Sequence, residues 1–312
     1  MFYNILVTGG AGYLGSIMVP DLLAAGHKVT VLDNFMFNQT SLNHCCYHPN
    51  FSIVKGDIRQ KSTIAPLMQS VDVIIPLAAL VGAPLCSLDP VGATTINHDA
   101  IALMLKLLSK NQIVLMPTTN SAYGTGDKNN YCNEESPLRP ISQYAIEKVE
   151  IEKMLMDHDN ATSFRLATVF GMSPRMRIDL LVNDFSYRAV NDRFVVLFES
   201  HFKRNYIHVR DVSNVFQHAL NNYDSMKGNI YNVGLSDANV SKKELCEHIQ
   251  KQLPEFLFLE APVGKDPDQR NYVVSNEKIE ATGFSPEYSL DRGVSELIKG
   301  YTMLKNSRYG NV

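Results

Sequence analysis

Along the first half of the chain, short continuous apolar runs alternate with longer stretches in which apolar positions recur every three or four residues. Continuous runs of that length suit strands buried on both faces, and the longer periodic stretches suit amphipathic helices. The pattern predicts strands at "YNILVTGG", "KVTVLDN", "FSIVKGD", "VDVIIPLAA" and "QIVLMPTT". Helices are expected at "LGSIMVPDLLAAG", ending at Gly26, at "NHDAIALMLKLLSK" and at "SQYAIEKVEIEKMLMDH", and "TSFRLATVFG" reads as a sixth strand. This rhythm is that of βαβ units, so the expected fold is α/β with a doubly wound parallel sheet. Beyond about Gly171 helices and short strands mix with polar loops, which predicts a smaller C-terminal α/β substrate lobe. The expected division is 1–170 for the nucleotide-binding domain and 171–312 for mainly the substrate lobe, with segments near 205–236 returning to the first domain. Ser241 reads as the N-cap of a helix in "SKKELCEHIQKQL".

Composition narrows the function classes. A formal net charge of −3 over 312 residues gives no general attraction to nucleic acid or to an anionic membrane, so an anionic ligand must be met by placed cations. There is no basic leader ahead of a long apolar stretch and no apolar run long enough to span a bilayer, which leads us to expect a cytoplasmic protein. The five cysteines form no CxxC pair and suit reduced thiols. The stretch "HCCYH" mixes metal-ligand types but lacks separated ligand pairs, so no metal is expected.

The chemistry begins at "VTGGAGYLG", where Gly9, Gly12 and Gly15 fall between the first strand and the first helix. Glycines there permit a tight turn and let backbone N–H groups and a helix N-terminus approach a pyrophosphate. Asp33 closes the second strand, where a carboxylate accepts from an adenosine ribose and repels a 2′-phosphate, favouring NAD over NADP. Tyr13 and Leu14 within the turn and Asn34 beside Asp33 join the expected cofactor set. In "SQYAIEK", Tyr144 and Lys148 stand four apart, on one helix face. Alone, such a pair is an ordinary helix surface.

Taken with those residues, "GDI" (56–58), "LAA" (77–79), "TTNSAYG" (118–124), "EESPLRPISQYAIEK" and "KRNYIHVRDV" resemble the extended short-chain dehydrogenase/reductases of the nucleotide-sugar epimerase, dehydratase and dehydrogenase group, over essentially the whole chain. The resemblance implies a Rossmann-type fold. It further implies that Asp57 and Ile58 border the adenine, and that Leu77, Ala78 and Ala79 pass the nicotinamide ribose. Tyr144 becomes the catalytic base, its phenolate stabilised by Lys148 and the nicotinamide charge, and Lys148 also holds the nicotinamide ribose. Thr119 is the third catalytic hydroxyl, with Thr118 and Ser121 as substitutes. Asn120 and Ser121 follow it where 4,6-dehydratases of the family carry an Asp–Glu pair, which argues against loss of water. Pro76 stands where relatives often have histidine, and Asn97 falls at a family helix asparagine.

For the substrate, the resemblance implies that Arg204 contacts a sugar-nucleotide diphosphate, with Arg270 in "DPDQRNY" as a second arginine. Arg175 and Arg177 in "SPRMR", Asn183 in "LLVNDF", Asn120 and Val196 in the apolar "FVVLF" complete the expected substrate set. The expected reaction is NAD-dependent oxidation at C4 to a 4-keto sugar, with a GDP-sugar, and GDP-manno-heptose for capsule polysaccharide in particular, as substrate. A 4-epimerase is the alternative, and a non-catalytic NAD-binding sensor is the alternative of another class. The helices "HDAIALMLKLL" and "EKVEIEKMLM" match the pair that joins subunits in the family, so a homodimer or homotetramer is expected.

Overall fold

A computed structural model describes residues 2–125, 131–262, 264 and 270–304. The five strands expected from apolar runs form at Asn4–Thr8 (β1), Lys28–Asp33 (β2), Phe51–Lys55 (β3), Val73–Pro76 (β4) and Ile113–Thr119 (β5). Ala161–Leu166 (β6) and Asn229–Val233 (β7) complete one seven-stranded sheet in the order β7-β6-β5-β4-β1-β2-β3, and every pairing in it is parallel. The order reverses direction beside β1, which opens a crevice at the carboxyl ends of β1 and β4. Pro76 sits at the last pairing of β4 with β1, opposite Thr8, where the missing N–H costs the ladder little.

Side chains on each strand alternate between two cores. Ile5 and Val7 of β1 enter one, and Leu6 enters the other. Eight helices of eight or more residues are described: Gly15–Ala24 (α1), Lys61–Met68 (α2), Ala100–Leu107 (α3), Gln143–Leu155 (α4), Leu181–Asn191 (α5), Val209–Asn221 (α6), Lys242–Gln252 (α7) and Leu290–Tyr301 (α8). α1 packs on α6 over the first core, while α2, α3 and α4 pack in sequence over the second. Ser241 caps α7 in a reciprocal box with Glu244, as its position before an amphipathic run predicts.

"TSFRLATVFG" is two strands rather than one. Ala167 still donates to the Val233 carbonyl (2.9 Å), after which Thr168–Phe170 leaves and pairs with Lys203–His208 in a separate three-stranded sheet that includes Asn239–Ser241. The "KRNYIHV" strand therefore lies in that small sheet, and in the 205–236 region it is Asn229–Val233 that joins the large one. A two-stranded sheet pairs Phe194–Leu197 with Leu257–Glu260. The expected helix from Asn97 is interrupted: Thr95–Asp99 is a π-turn that runs into α3. The fully buried Asn97 there both accepts from the Leu80 N–H and donates to its carbonyl (2.9 Å each), so its role is to fix the chain after β4.

Candidate active site

A cleft of about 840 Å³ runs along the carboxyl ends of the central strands. Its first wall is the turn between β1 and α1. Gly9 has φ +66°, and a Cβ there would stand 2.5 Å from the Ala78 Cα; the chain after β4 can pass this close only because residue 9 is glycine. At Gly15 a Cβ would stand 2.3 Å from the Gly10 carbonyl oxygen, which is the close helix–turn approach that the glycine spacing predicts. Gly9, Gly12, Tyr13, Leu14 and Gly15 all line the cleft, as do Leu77, Ala78 and Ala79 opposite. Tyr13 is also a tie: its hydroxyl donates to the Gly171 carbonyl (2.7 Å).

Asp33 and Asn34 line the same end. The Asp33 carboxylate accepts from the Ala11 N–H (3.0 Å), the Phe35 N–H (2.8 Å) and Gln39 Nε2 (3.2 Å). Burial pushes its pKa up, and those donors pull it back. Asn34 turns its amide oxygen onto the Met36 N–H. Asp57 and Ile58 form the neighbouring edge, where the Arg59 fork on Asp57 (Nε 3.0 Å from each carboxylate oxygen) holds that carboxyl below its usual range. Gln39, which fastens Asp33, carried no signal in the sequence.

At the other end Tyr144, Lys148 and Thr119 line the cleft together. Ser142 caps α4 by accepting from the Ala145 N–H, so the first turn of that helix presents Tyr144. Lys148 follows one turn later, with Nζ 6.0 Å from the Tyr144 ring centre. Burial and the nearby Cys86 push the Tyr144 phenol up to about 12, and the charges of Arg177 and Arg270 ease its ionisation. Burial brings Lys148 down to about 8, against the opposing pull of Glu147 and Cys86. The hydroxyl expected beside Tyr144 belongs to a chain of contacts: Thr119 Oγ1 donates to Ser121 Oγ (3.0 Å), and Arg270 Nη1 donates to the same oxygen (2.5 Å). Thr118 also lines the cleft, but its hydroxyl donates to Glu152 Oε2 (3.0 Å).

Arg175, Arg177, Arg204 and Arg270 all line the cleft; residues 265–269, which lead to Arg270, lie outside the described residues. Arg177 is set by Asp179 (Nε to Oδ1, 2.7 Å) and by the Val81 carbonyl (3.3 Å). Three expected substrate residues lie elsewhere. Asn183 is fully buried and binds the Gly171 N–H, the Arg177 carbonyl and the Tyr13 hydroxyl, so its amide is spent on joining chain segments. Asn120 is fully buried, turned away from the cleft lining, and its amide atoms have no hydrogen-bond partner among the described residues. Val196 lies outside the cleft lining, on an exposed face shared with Phe194 and Phe198, because alternation along Phe194–Leu197 turns Val195 and Leu197 inward instead.

A profile of the NAD dependent epimerase/dehydratase family matches residues 5–234. Among curated proteins, the chain is 28% identical to the Low-salt glycan biosynthesis protein Agl12 of Haloferax volcanii, covering 96% of this chain and 98% of that one. It is 26% identical to UDP-glucuronic acid decarboxylase 1 of Xenopus tropicalis, covering 95% and 71%. Among solved structures it resembles a UDP-glucose 4-epimerase of Thermus thermophilus in complex with NAD, with a TM-score of 0.82 at 24% identity over 97% of this chain and 100% of that one. A UDP-glucuronic acid 4-epimerase from Bacillus cereus has a TM-score of 0.85 at 21% identity, over 97% and 100%.

Proposed function

The chain belongs to the NAD dependent epimerase/dehydratase family, and from that footing we propose that it oxidises the C4 hydroxyl of a nucleotide-activated sugar with Tyr144 as the base. It is an enzyme of that family, and the described residues fit NAD: the turn Gly9–Gly15 lines the cleft at the start of α1, and glycine at 9 and 15 lets its backbone close tightly on Ala78 and on Gly10. Backbone N–H groups of that turn would hold the pyrophosphate, Asp33 the adenosine ribose, Asp57 and Ile58 the adenine edge, and Leu77–Ala79 with Lys148 the nicotinamide ribose. When bound, NAD⁺ supplies a hydride acceptor and a positive charge at its nicotinamide.

The chain's own groups do the rest. Tyr144 takes the proton of the reacting hydroxyl from its phenolate form, which Arg177, Arg270 and the positive charge of a bound nicotinamide would favour. Thr119, whose hydroxyl donates to Ser121 Oγ in the structure, would turn that proton to the same sugar oxygen and hold it in line. Arg204 and Arg270 meet the sugar-nucleotide diphosphate with the planar fork that suits phosphate. Neither Asn120 nor Ser121 ionises, which supports chemistry confined to C4. The observation that carries the reading is that Tyr144, Lys148 and Thr119 share one cleft with the glycine-rich turn.

The finer reading extends from the sequence: a GDP-sugar, GDP-manno-heptose, converted to a 4-keto product for polysaccharide assembly, by a homodimer or homotetramer joined through the α3 and α4 faces, with residues beyond 170 forming the substrate lobe. A second outcome, 4-epimerisation with the ketone reduced again on its other face, is supported by the hydrogen bonds that tie the segment at Gly171–Arg175 across the cofactor turn, since such a cycle keeps its dinucleotide. The intact Tyr144–Lys148 pair speaks against a non-catalytic sensor.

The test is a panel of UDP-, GDP-, dTDP- and CDP-sugars, followed by absorbance of reduced nicotinamide and by NMR of the sugar. A rise in absorbance marks net oxidation, and inversion at C4 without it marks the epimerase. Tyr144→Phe should lower turnover by about 10³-fold or more with NAD still bound; near-normal turnover in that variant would refute the assignment.

A further inference from the structure

We propose that Arg175 and Phe37 form a clasp over the dinucleotide, so that Arg175 serves the cofactor's pyrophosphate and not the sugar donor. The inference rests on the NAD reading above and assigns one of its cations.

Arg175 reaches the cleft from the segment after Thr168–Phe170, and that segment lies along the glycine-rich turn. Ser173 Oγ donates to the Tyr13 carbonyl (2.8 Å) and meets Ser16 Oγ (2.7 Å), while the Arg175 N–H donates to Ser16 Oγ (3.4 Å). The Arg175 guanidinium donates from Nη1 to the Met176 carbonyl (2.5 Å) and lies 4.7 Å over the ring of Phe37. Both residues line the cleft, and Arg175 is buried.

Phe37 is held in place from the other wall. It belongs to the loop after β2, in which Phe35 (φ 55°) and Asn38 (φ 51°) adopt left-handed backbone conformations that cost energy for such side chains. Gln39 bridges this loop to the ribose carboxylate, accepting from the Phe37 N–H (3.2 Å) and donating to Asp33 Oδ1 (3.2 Å). The ring is thus fixed relative to Asp33, and the guanidinium relative to the start of α1.

The other cleft cations face different groups. Arg177 is fastened to Asp179 and Val81, and Arg270 to Ser121. Lys148 stands beside Tyr144, and Arg204 lies on the strand Lys203–His208. Arg175 is the one whose own backbone N–H donates to Ser16, in the first turn of α1, where a dinucleotide diphosphate meets the helix N-terminus. A guanidinium suits both neighbours, offering its edge to phosphate oxygens and its face to an aromatic ring. Release of the dinucleotide then requires this contact to part.

The experiment uses the purified enzyme loaded with NAD. Dissociation of NAD is followed after rapid dilution, and UDP and GDP binding to the loaded enzyme is measured as the probe of the sugar-donor site. Arg175→Ala should speed NAD release about tenfold or more, Phe37→Ala should speed it about threefold, and UDP and GDP affinities should stay within about twofold. Arg175→Lys, which keeps the charge without the stacking plane, should fall between, and it serves with Phe37→Ala if the alanine variant misfolds. NAD release unchanged in Arg175→Ala, or UDP and GDP binding weakened there while NAD release is unaffected, overturns the clasp. A wild-type protein that binds no NAD overturns the functional reading and the clasp with it; a wild type that binds NAD as tightly as Arg175→Ala does removes the clasp alone.

Discussion

Lys148, in the role proposed for it, works against the fold that holds it. Its folded pKa of about 8 lies below the ordinary 10.5, so between those values the folded state binds fewer protons than the unfolded chain and stability rises with pH. Below about pH 8 the buried ammonium costs about 3 kcal/mol, at roughly 1.4 kcal/mol per unit. Lys148→Met should therefore raise the melting temperature at pH 7 while removing turnover, and differential scanning calorimetry beside an activity assay checks both. In the wild type kcat/KM should rise with pH as the Tyr144 anion grows and level off above about 8, where the Lys148 ammonium is lost; a profile that keeps rising past pH 9 would take Lys148 out of the mechanism. The motifs around Tyr144 and Lys148, rather than their spacing alone, made their shared cleft legible. Their charge environment was not, because Cys86, Arg177 and Arg270 come from three distant stretches that meet only on folding.

At the scale of elements, α4 is the least legible part of the sequence. "QYAIEKVEIEKML" alternates charges like a solvated helix, yet Glu147, Lys148 and Glu152 are buried. The reason is a polar network. Arg165 of β6 donates from Nη2 to Glu152 Oε1 (2.6 Å), and Thr118 of β5 and Ser163 of β6 donate to Oε2 (3.0 and 2.8 Å). This pins the helix that carries Tyr144 to the strand that carries Thr119. Breaking one side of a buried pair leaves a charge uncompensated, so Glu152→Ala should cost about 3–5 kcal/mol in urea denaturation. A double change to Glu152→Met with Arg165→Met should recover much of that loss, and a loss equal to the sum of the two single changes would show the pair to be uncoupled. The first five strands of the large sheet were legible because short apolar runs bounded by turn residues suit a strand of a parallel sheet. The break at Ala167 was not legible, since no turn residue separates β6 from Thr168–Phe170 and their partners lie far along the chain.

At the scale of the whole molecule, the glycine-rich turn depends on residues far along the chain. Tyr13 and Ser16 find their partners at Gly171, Asn183 and Ser173. A fragment of residues 1–170 keeps every glycine of the motif but loses these ties, and β6 loses its neighbour β7. Such a fragment should bind NAD at least about tenfold more weakly than the full chain by calorimetry, and equal affinity would show the ties to be dispensable.

The position of β7 has a bearing on biosynthesis. At a synthesis rate of about 5–20 residues per second, several seconds pass between the emergence of Leu166 and that of Asn229, and during them β6 presents a bare hydrogen-bonding edge to the crowded space near the ribosome. Neighbouring nascent chains on one messenger offer the same sequence in the same unfinished state. Slowing translation between those two positions should thus increase co-aggregation of newborn chains, with the finished protein unchanged.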